Sequence, residues 1–132
     1  ATEAAGPKER LEALIHLWVG DSEIDARYGC PIGSLCYELA RQRGTMADEA
    51  ARPLRFLLQW AEARFRELGN GEESAGLALH LVTTLQGASL VANAFNDPAG
   101  IARETDRLKD WMAGLARARP SRTRKPRRET SR

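Results

Sequence analysis

The 132-residue sequence has few cysteines, few aromatic residues and no long hydrophobic segment. The shortage of cysteines argues against a disulfide-bonded protein, and the lack of a long hydrophobic segment argues against a membrane-spanning one. No stretch approaches the roughly 18 uninterrupted apolar residues that a membrane-spanning helix needs. Cys30 and Cys36 are the only cysteines, and six positions apart on one short helix they are too distant to form a disulfide. The sequence therefore predicts a cytoplasmic protein with no membrane partner.

The residue sets of common catalytic and metal sites are also missing. Cys30 and Cys36, taken with His16 and His80, do not have the ligand spacing of a zinc site. No acid and base converge on one predicted helix face, and no glycine-rich phosphate loop occurs. We therefore expect no metal, no other cofactor and no enzymatic activity. A small helical enzyme that uses one of the cysteines, and a purely structural helical interaction module, are the alternative hypotheses.

Charge divides the chain into an acidic body and a basic end. From Arg117 onward, eight basic residues accompany a single acidic one, Glu129, so this stretch carries +7 and the preceding residues carry −5. The basic end contains no apolar side chain that could enter a core. We expect residues 1–116 to form one folded domain and residues 117–132 a basic disordered tail, which either solubilises the protein or contacts nucleic-acid phosphates through charge alone.

Apolar residues recur at helical spacing in five segments, and no segment alternates as a half-buried strand would. The segments cover about residues 7–19, 31–43, 47–68, 74–95 and 97–119. The predicted fold class is therefore all-α, a bundle of about five main helices. Pro53 interrupts the third segment, where we expect a kink or a fresh helix start, and Asp97 followed by Pro98 predicts the capped start of the fifth.

The fourth segment is apolar almost all the way round. One stripe predicts the side that faces the core of the domain, and it consists of Leu77, Leu81, Leu85, Ala88, Ala92 and Phe95. A second stripe of mostly small residues consists of Thr83, Gly87, Leu90 and Ala94. Because a surface helix does not need that second stripe, this helix is either buried centrally in its own domain or packed against another subunit.

Four short motifs occur in order along the chain: GCPIGSL at residues 29–35, ELA at 38–40, LQGA at 85–88, and DP at 97–98 before a last amphipathic helix. Over about residues 8–116 this pattern resembles the C-terminal domain of TetR-family transcriptional regulators. The resemblance implies a repressor domain that binds a small hydrophobic effector between its helices. It also implies a homodimer in which the last two long helices of each subunit form a four-helix bundle. Operator DNA would be contacted only through an N-terminal helix-turn-helix unit that this sequence does not include.

Two sets of residues are the candidate sites. Side chains that could wall or polarise an effector pocket are Trp18, Cys36, Tyr37, Phe56, Trp60, His80 and Thr84. The aromatic members of this set could instead be ordinary core residues. The candidate dimer interface combines the second stripe of the fourth segment with residues of the last one, and it consists of Thr83, Gly87, Leu90, Ala94, Leu108, Trp111, Met112 and Leu115.

Overall fold

The computed structural model describes residues 5–118, and every regular element in that range is helical. The predicted all-α class is confirmed, and each of the five predicted segments corresponds to a helix. An additional short helix, α2, was not predicted. The helices are α1 Pro7–Gly20, α2 Ser22–Tyr28, α3 Pro31–Ala40, α4 Thr45–Glu67, α5 Ser74–Phe95 and α6 Ala99–Ala118, with a 3₁₀ turn at Gly71–Glu73 before α5.

Helix α5 is the centre of the bundle and packs against α2, α4 and α6. Its core-facing stripe is largely as predicted, except that Phe95 at its end is 78% exposed. The main core lies between α1, α4, α5 and α6 and consists of Leu11, Ile15, Ala61, Phe65, Ala78, Leu81, Leu85, Leu108 and Met112. A smaller cluster joins α2, α5 and α6 and consists of Ala26, Ala88, Ala92 and Ile101. Trp18 packs against both clusters and so connects them.

Pro53 does not divide the third predicted segment, because α4 is one helix from Thr45 to Glu67 with this proline inside it. The expected fresh start is therefore wrong. A proline inside a helix leaves the carbonyl four residues earlier without its partner, here that of Glu49. Since Glu49 and Pro53 are both exposed, water can satisfy that carbonyl and the helix continues.

The start of α6 agrees with its predicted cap. The backbone N–H of Ala99 donates to Oδ1 of Asp97 at 3.1 Å, and Arg103 pairs with Oδ2 of the same carboxylate at 2.8 Å. At the other end, α6 continues to Ala118, so Arg117 and Ala118 are helical although they belong to the predicted tail. The remainder of that tail, residues 119–132, lies outside the described residues.

Polar residues at helical spacing attach α5 to the segment that ends α2 and begins α3. Ser89 Oγ donates to Asp25 Oδ2 at 2.6 Å, and the Asn93 side chain donates to a backbone carbonyl of α2 at 3.1 Å. Gln86 donates more weakly to the sulfur of Cys30 at 3.6 Å. Residues three and four positions apart lie on one helix face, so one polar edge of α5 holds residues 25–30 in place.

Candidate functional site

An open groove lies between α1, α3 and α4, and its lining is mainly apolar. Of the predicted pocket residues, Trp18 and Phe56 lie together in it. Phe56 is 69% exposed, which is unusual for a large aromatic side chain that has an apolar neighbourhood available. The groove is lined by Leu14, Trp18, Ile32, Glu49, Arg52, Pro53, Phe56 and Leu57.

Helix α4 supplies one wall of the groove with a side that its own core contacts do not use. Ala61 and Phe65 bury the core side of this helix, whereas Pro53 and Phe56 lie on another side, toward the groove. The remaining walls are α1 and α3, and α3 contains no buried residue. The Cys36 thiol donates to the carbonyl of Ala50 at 3.0 Å and so ties α3 to α4. Cys36 therefore stabilises the groove wall without lining the groove.

The rim of the groove carries one charge of each sign. Nη1 of Arg52 lies 2.9 Å from Oε2 of Glu49, and both side chains are more than half exposed. The hydrogen bond to Glu49 and the negative charge of its carboxylate raise the pKa of Arg52 above its ordinary value. An exposed pair of this kind adds little to stability. Either side chain can therefore leave its partner and pair with a charged group of a bound molecule.

Beneath the groove, Trp18 begins a hydrogen-bonded chain that reaches α5 and α2. The indole Nε1 donates to Ser89 Oγ at 2.8 Å, and that hydroxyl donates to Oδ2 of Asp25 at 2.6 Å. Ser89 and Asp25 are both buried, at 1% and 6% exposure. Trp18 thus belongs to the groove wall and to a buried polar network at once.

Besides Cys36, four more of the predicted pocket residues do not line the groove, which corrects the predicted site. Trp60 lies one turn further along α4 and packs against the main core, with the Arg64 guanidinium 5.5 Å from its ring centre. Tyr37 is 72% exposed on α3. His80 stacks edge-on against Trp111, with ring centres 4.6 Å apart, and half-buried Thr84 also does not line the groove.

The predicted dimer residues of α5 face outward. Thr83 and Ala94 are exposed, Leu90 is 70% exposed, and a Cβ added at Gly87 would meet nothing within 4 Å. Leu79 and Val91, at 56% and 54% exposure, extend this face on either side. Except for His80, α5 contains no ionisable side chain. We refer to Leu79, Thr83, Gly87, Leu90, Val91 and Ala94 as the outer face of α5.

The predicted dimer residues of α6, unlike those of α5, do not face outward. For two of them the structure corrects the prediction. Leu108 and Met112 are buried in the main core, at 2% and 6% exposure, so a partner could not contact them. Trp111 and Leu115 are partly buried against the same core. The reason is that α6 has one apolar stripe, and the core uses it, while its exposed positions include Arg103, Asp106, Arg107 and Asp110.

Helix α5 with the turn before it, residues Gly71–Phe95, is the single described segment long and apolar enough to cross a membrane. Its mean hydropathy in the most apolar window is 1.4, and 33% of that window is buried in the domain. A central core helix of a bundle satisfies the same criterion, so this finding carries little weight for a membrane location.

Within residues 5–118, no His, Asp or Glu side chain is hydrogen-bonded to either cysteine. The Cys36 thiol is engaged with the Ala50 carbonyl, and the neighbour of Cys30 is the Gln86 amide. In the same range no group of three or more His, Cys, Asp or Glu side chains could hold a metal ion. The groove and the outer face of α5 are two features of the described residues that offer a binding function.

Comparison with known proteins identifies no relative: no protein-family model matches the chain, and no curated protein sequence matches it significantly. What the chain does is therefore argued from the groove, the hydrogen-bonded chain beneath it and the outer face of α5.

Proposed function

We propose that this domain is the effector-binding and dimerisation part of a TetR-type transcriptional repressor. A small hydrophobic effector binds in the groove between α1, α3 and α4, and two copies associate through the outer face of α5. Operator DNA is contacted by a helix-turn-helix unit that precedes these helices, and the protein acts in the bacterial cytoplasm.

The observation that carries the proposal is that Trp18 and the exposed Phe56 stand in one apolar groove between three helices. Small-molecule sites are concave and mostly apolar, with a few polar groups that orient the ligand. The Arg52–Glu49 pair at the rim supplies such groups. An effector with a flat apolar body and one polar end matches this lining.

The homodimer is supported by the outer face of α5. Leu79, Leu90 and Val91 are each more than half exposed on a helix with no Asp, Glu, Lys or Arg. Contiguous exposed apolar surface of this kind marks an association site. Thr83, Gly87 and Ala94 are small, so two such helices can approach closely, and a two-fold axis lets the same face serve both copies.

Effector binding can be tested by thermal unfolding in the presence of planar and aliphatic hydrophobic compounds. A compound that binds only the native state stabilises it by RT ln(1 + [L]/Kd), or about 2.7 kcal/mol at one hundred times Kd. Phe56→Ala should abolish most of this stabilisation. Tyr37→Ala is the matched control, because Tyr37 is an equally exposed aromatic that does not line the groove. If no compound stabilises the wild type, or the two variants respond alike, the effector site is refuted.

A helical interaction module without an effector is the second candidate. The outer face of α5 favours it, since that face would support association whether or not the groove binds a small molecule. A protein that forms a stable dimer while a broad compound panel leaves its melting temperature unchanged would be this module.

A further inference from the structure

Ser89 does not line the groove, yet it is hydrogen-bonded to a side chain that does. Its hydroxyl accepts the indole N–H of Trp18 at 2.8 Å, and the other partner of that hydroxyl is Asp25. Ser89 is 1% exposed, so solvent cannot easily substitute for either partner. No other hydrogen bond of the Trp18 side chain occurs among residues 5–118.

The three groups allow only one arrangement of hydrogens. An indole N–H donates and never accepts, a carboxylate oxygen accepts, and a serine hydroxyl has one hydrogen with two lone pairs. Because the Ser89 hydrogen is directed to Asp25, a lone pair of its oxygen is left for Trp18. Bonds in such a chain polarise each other, and each bond strengthens the next.

We infer that Ser89 is a positioning residue of the groove, which with Asp25 fixes the orientation of the Trp18 indole and thereby the shape of ligand that the groove accepts. The inference rests on the proposed function, because it assigns a role to Ser89 in ligand binding at that groove. Ser89 touches no ligand itself and acts through Trp18. Without the Ser89 oxygen, the indole loses its only polar anchor and can rotate about its side-chain bonds.

The sequence contains a matched control on the same helix. Ser74 is also buried in α5, at 0% exposure, but its Oγ has no hydrogen-bond partner among the described residues. Ser89→Ala and Ser74→Ala remove the same atom from the same helix. Only the first removes an anchor of Trp18.

The test uses anilinonaphthalene sulfonate, which has a flat apolar body and one charged end, with its dissociation constant measured by fluorescence. Phe56→Ala identifies the portion of binding that belongs to the groove. Ser89→Ala should weaken that binding by roughly three- to tenfold, the value of one hydrogen bond, and Ser74→Ala should leave it unchanged. In a Trp18→Phe background, which has no indole N–H, Ser89→Ala should have no further effect.

A second readout is independent of ligand. In a ¹H–¹⁵N spectrum, Ser89→Ala should shift the indole N–H resonance of Trp18 and accelerate its exchange with solvent, while the resonances of Trp60 and Trp111 stay in place. If Ser89→Ala does not fold, Asp25→Asn takes its place, with a smaller change in the same direction, because an amide fixes the serine hydroxyl less firmly.

The outcomes separate the inference from the proposed function. Wild-type affinity in Ser89→Ala, with binding still lost in Phe56→Ala, overturns the positioning role and leaves the effector groove intact. An equal effect of Ser89→Ala with and without the Trp18 indole also overturns it, because the serine would then act through the fold in general. Probe binding that is absent, or indifferent to Phe56, refutes the groove itself and the inference with it.

Discussion

The hydroxyl of Ser89 on α5 lies 2.6 Å from a carboxylate oxygen of Asp25 on α2, and both side chains are buried. A buried carboxylate is costly unless it is hydrogen-bonded. Ser89 supplies that bond and at the same time accepts the N–H of Trp18 from α1. The consecutive helices α1 and α2 are thus joined at one hydroxyl to α5, which is distant from them in sequence.

Ser89→Ala should therefore destabilise the domain strongly for so small a change. It leaves the Asp25 carboxylate and the Trp18 N–H without their partner, and each unsatisfied buried group costs about 1–3 kcal/mol. Ser74→Ala removes a buried hydroxyl that makes no hydrogen bond within residues 5–118, so we expect it to be neutral or slightly stabilising. Urea unfolding followed by circular dichroism gives both values. Equal effects of the two variants would contradict the importance of the Asp25 bond.

The sequence predicted α4 and α6 from their strong apolar periodicity, and it placed α5 at residues 74–95 as observed from a long apolar segment without Asp, Glu, Lys or Arg. It did not reveal α2, whose seven residues are too few for a periodic pattern to emerge. A signal for the polar edge of α5 was present: Gln86, Ser89 and Asn93 recur at helical spacing in a mostly apolar helix. Polar residues so placed need partners, but the sequence does not say which segment provides them.

Phe56→Ala and Trp60→Ala should differ in cost although both residues were predicted as pocket candidates on one helix. Phe56 is 69% exposed, so truncating it should cost less than about 1 kcal/mol. Trp60 packs against the main core, and its loss should cost about 2–4 kcal/mol. Urea unfolding of the two variants measures the difference. A larger loss from Phe56→Ala would mean that this side chain is core in solution.

The candidate site could be predicted only in part, since a helix pattern indicates which side of a helix is apolar but not which neighbour covers it. Trp18 and Phe56 are together in the groove, yet Trp60 at the next turn of α4 packs against the main core. Likewise, the apolar stripe of α6 suited a dimer or a core equally well from the sequence. The short connection from α5 to α6 lets α6 fold back so that Leu108 and Met112 are buried in the subunit.

Gly29 joins α2 to α3 with φ of +77°, a conformation that disfavours residues with a Cβ. An added Cβ would also lie 3.1 Å from Ser34 Oγ. Gly29→Ala should therefore destabilise the domain by about 1–2 kcal/mol. Gly114 lies within α6, and a Cβ added there would meet nothing within 4 Å, so Gly114→Ala should instead stabilise the domain by about 0.5–1 kcal/mol. Thermal melts in which Gly29→Ala is more stable than Gly114→Ala would refute this conformation of the turn between α2 and α3.

The outer face of α5 makes the sharpest prediction about assembly, and two leucines allow a matched test. Leu90 on that face and Leu17 on α1 are exposed to a similar degree, at 70% and 66%. A glutamate at position 90 would place a charge in the centre of an apolar interface, where it would be desolvated without a partner. Sedimentation velocity should therefore show a monomer for Leu90→Glu.

At position 17, outside the proposed interface, the same substitution should leave the dimer intact, and both variants should keep their helical circular dichroism because neither leucine is in the core. This pair separates loss of association from loss of folding. A wild-type chain that sediments as a monomer at all concentrations removes the homodimer from the proposed function. If Leu90→Glu and Leu17→Glu both remain dimeric, two copies associate through some other surface, and the exposed apolar side of α5 is left to a different partner.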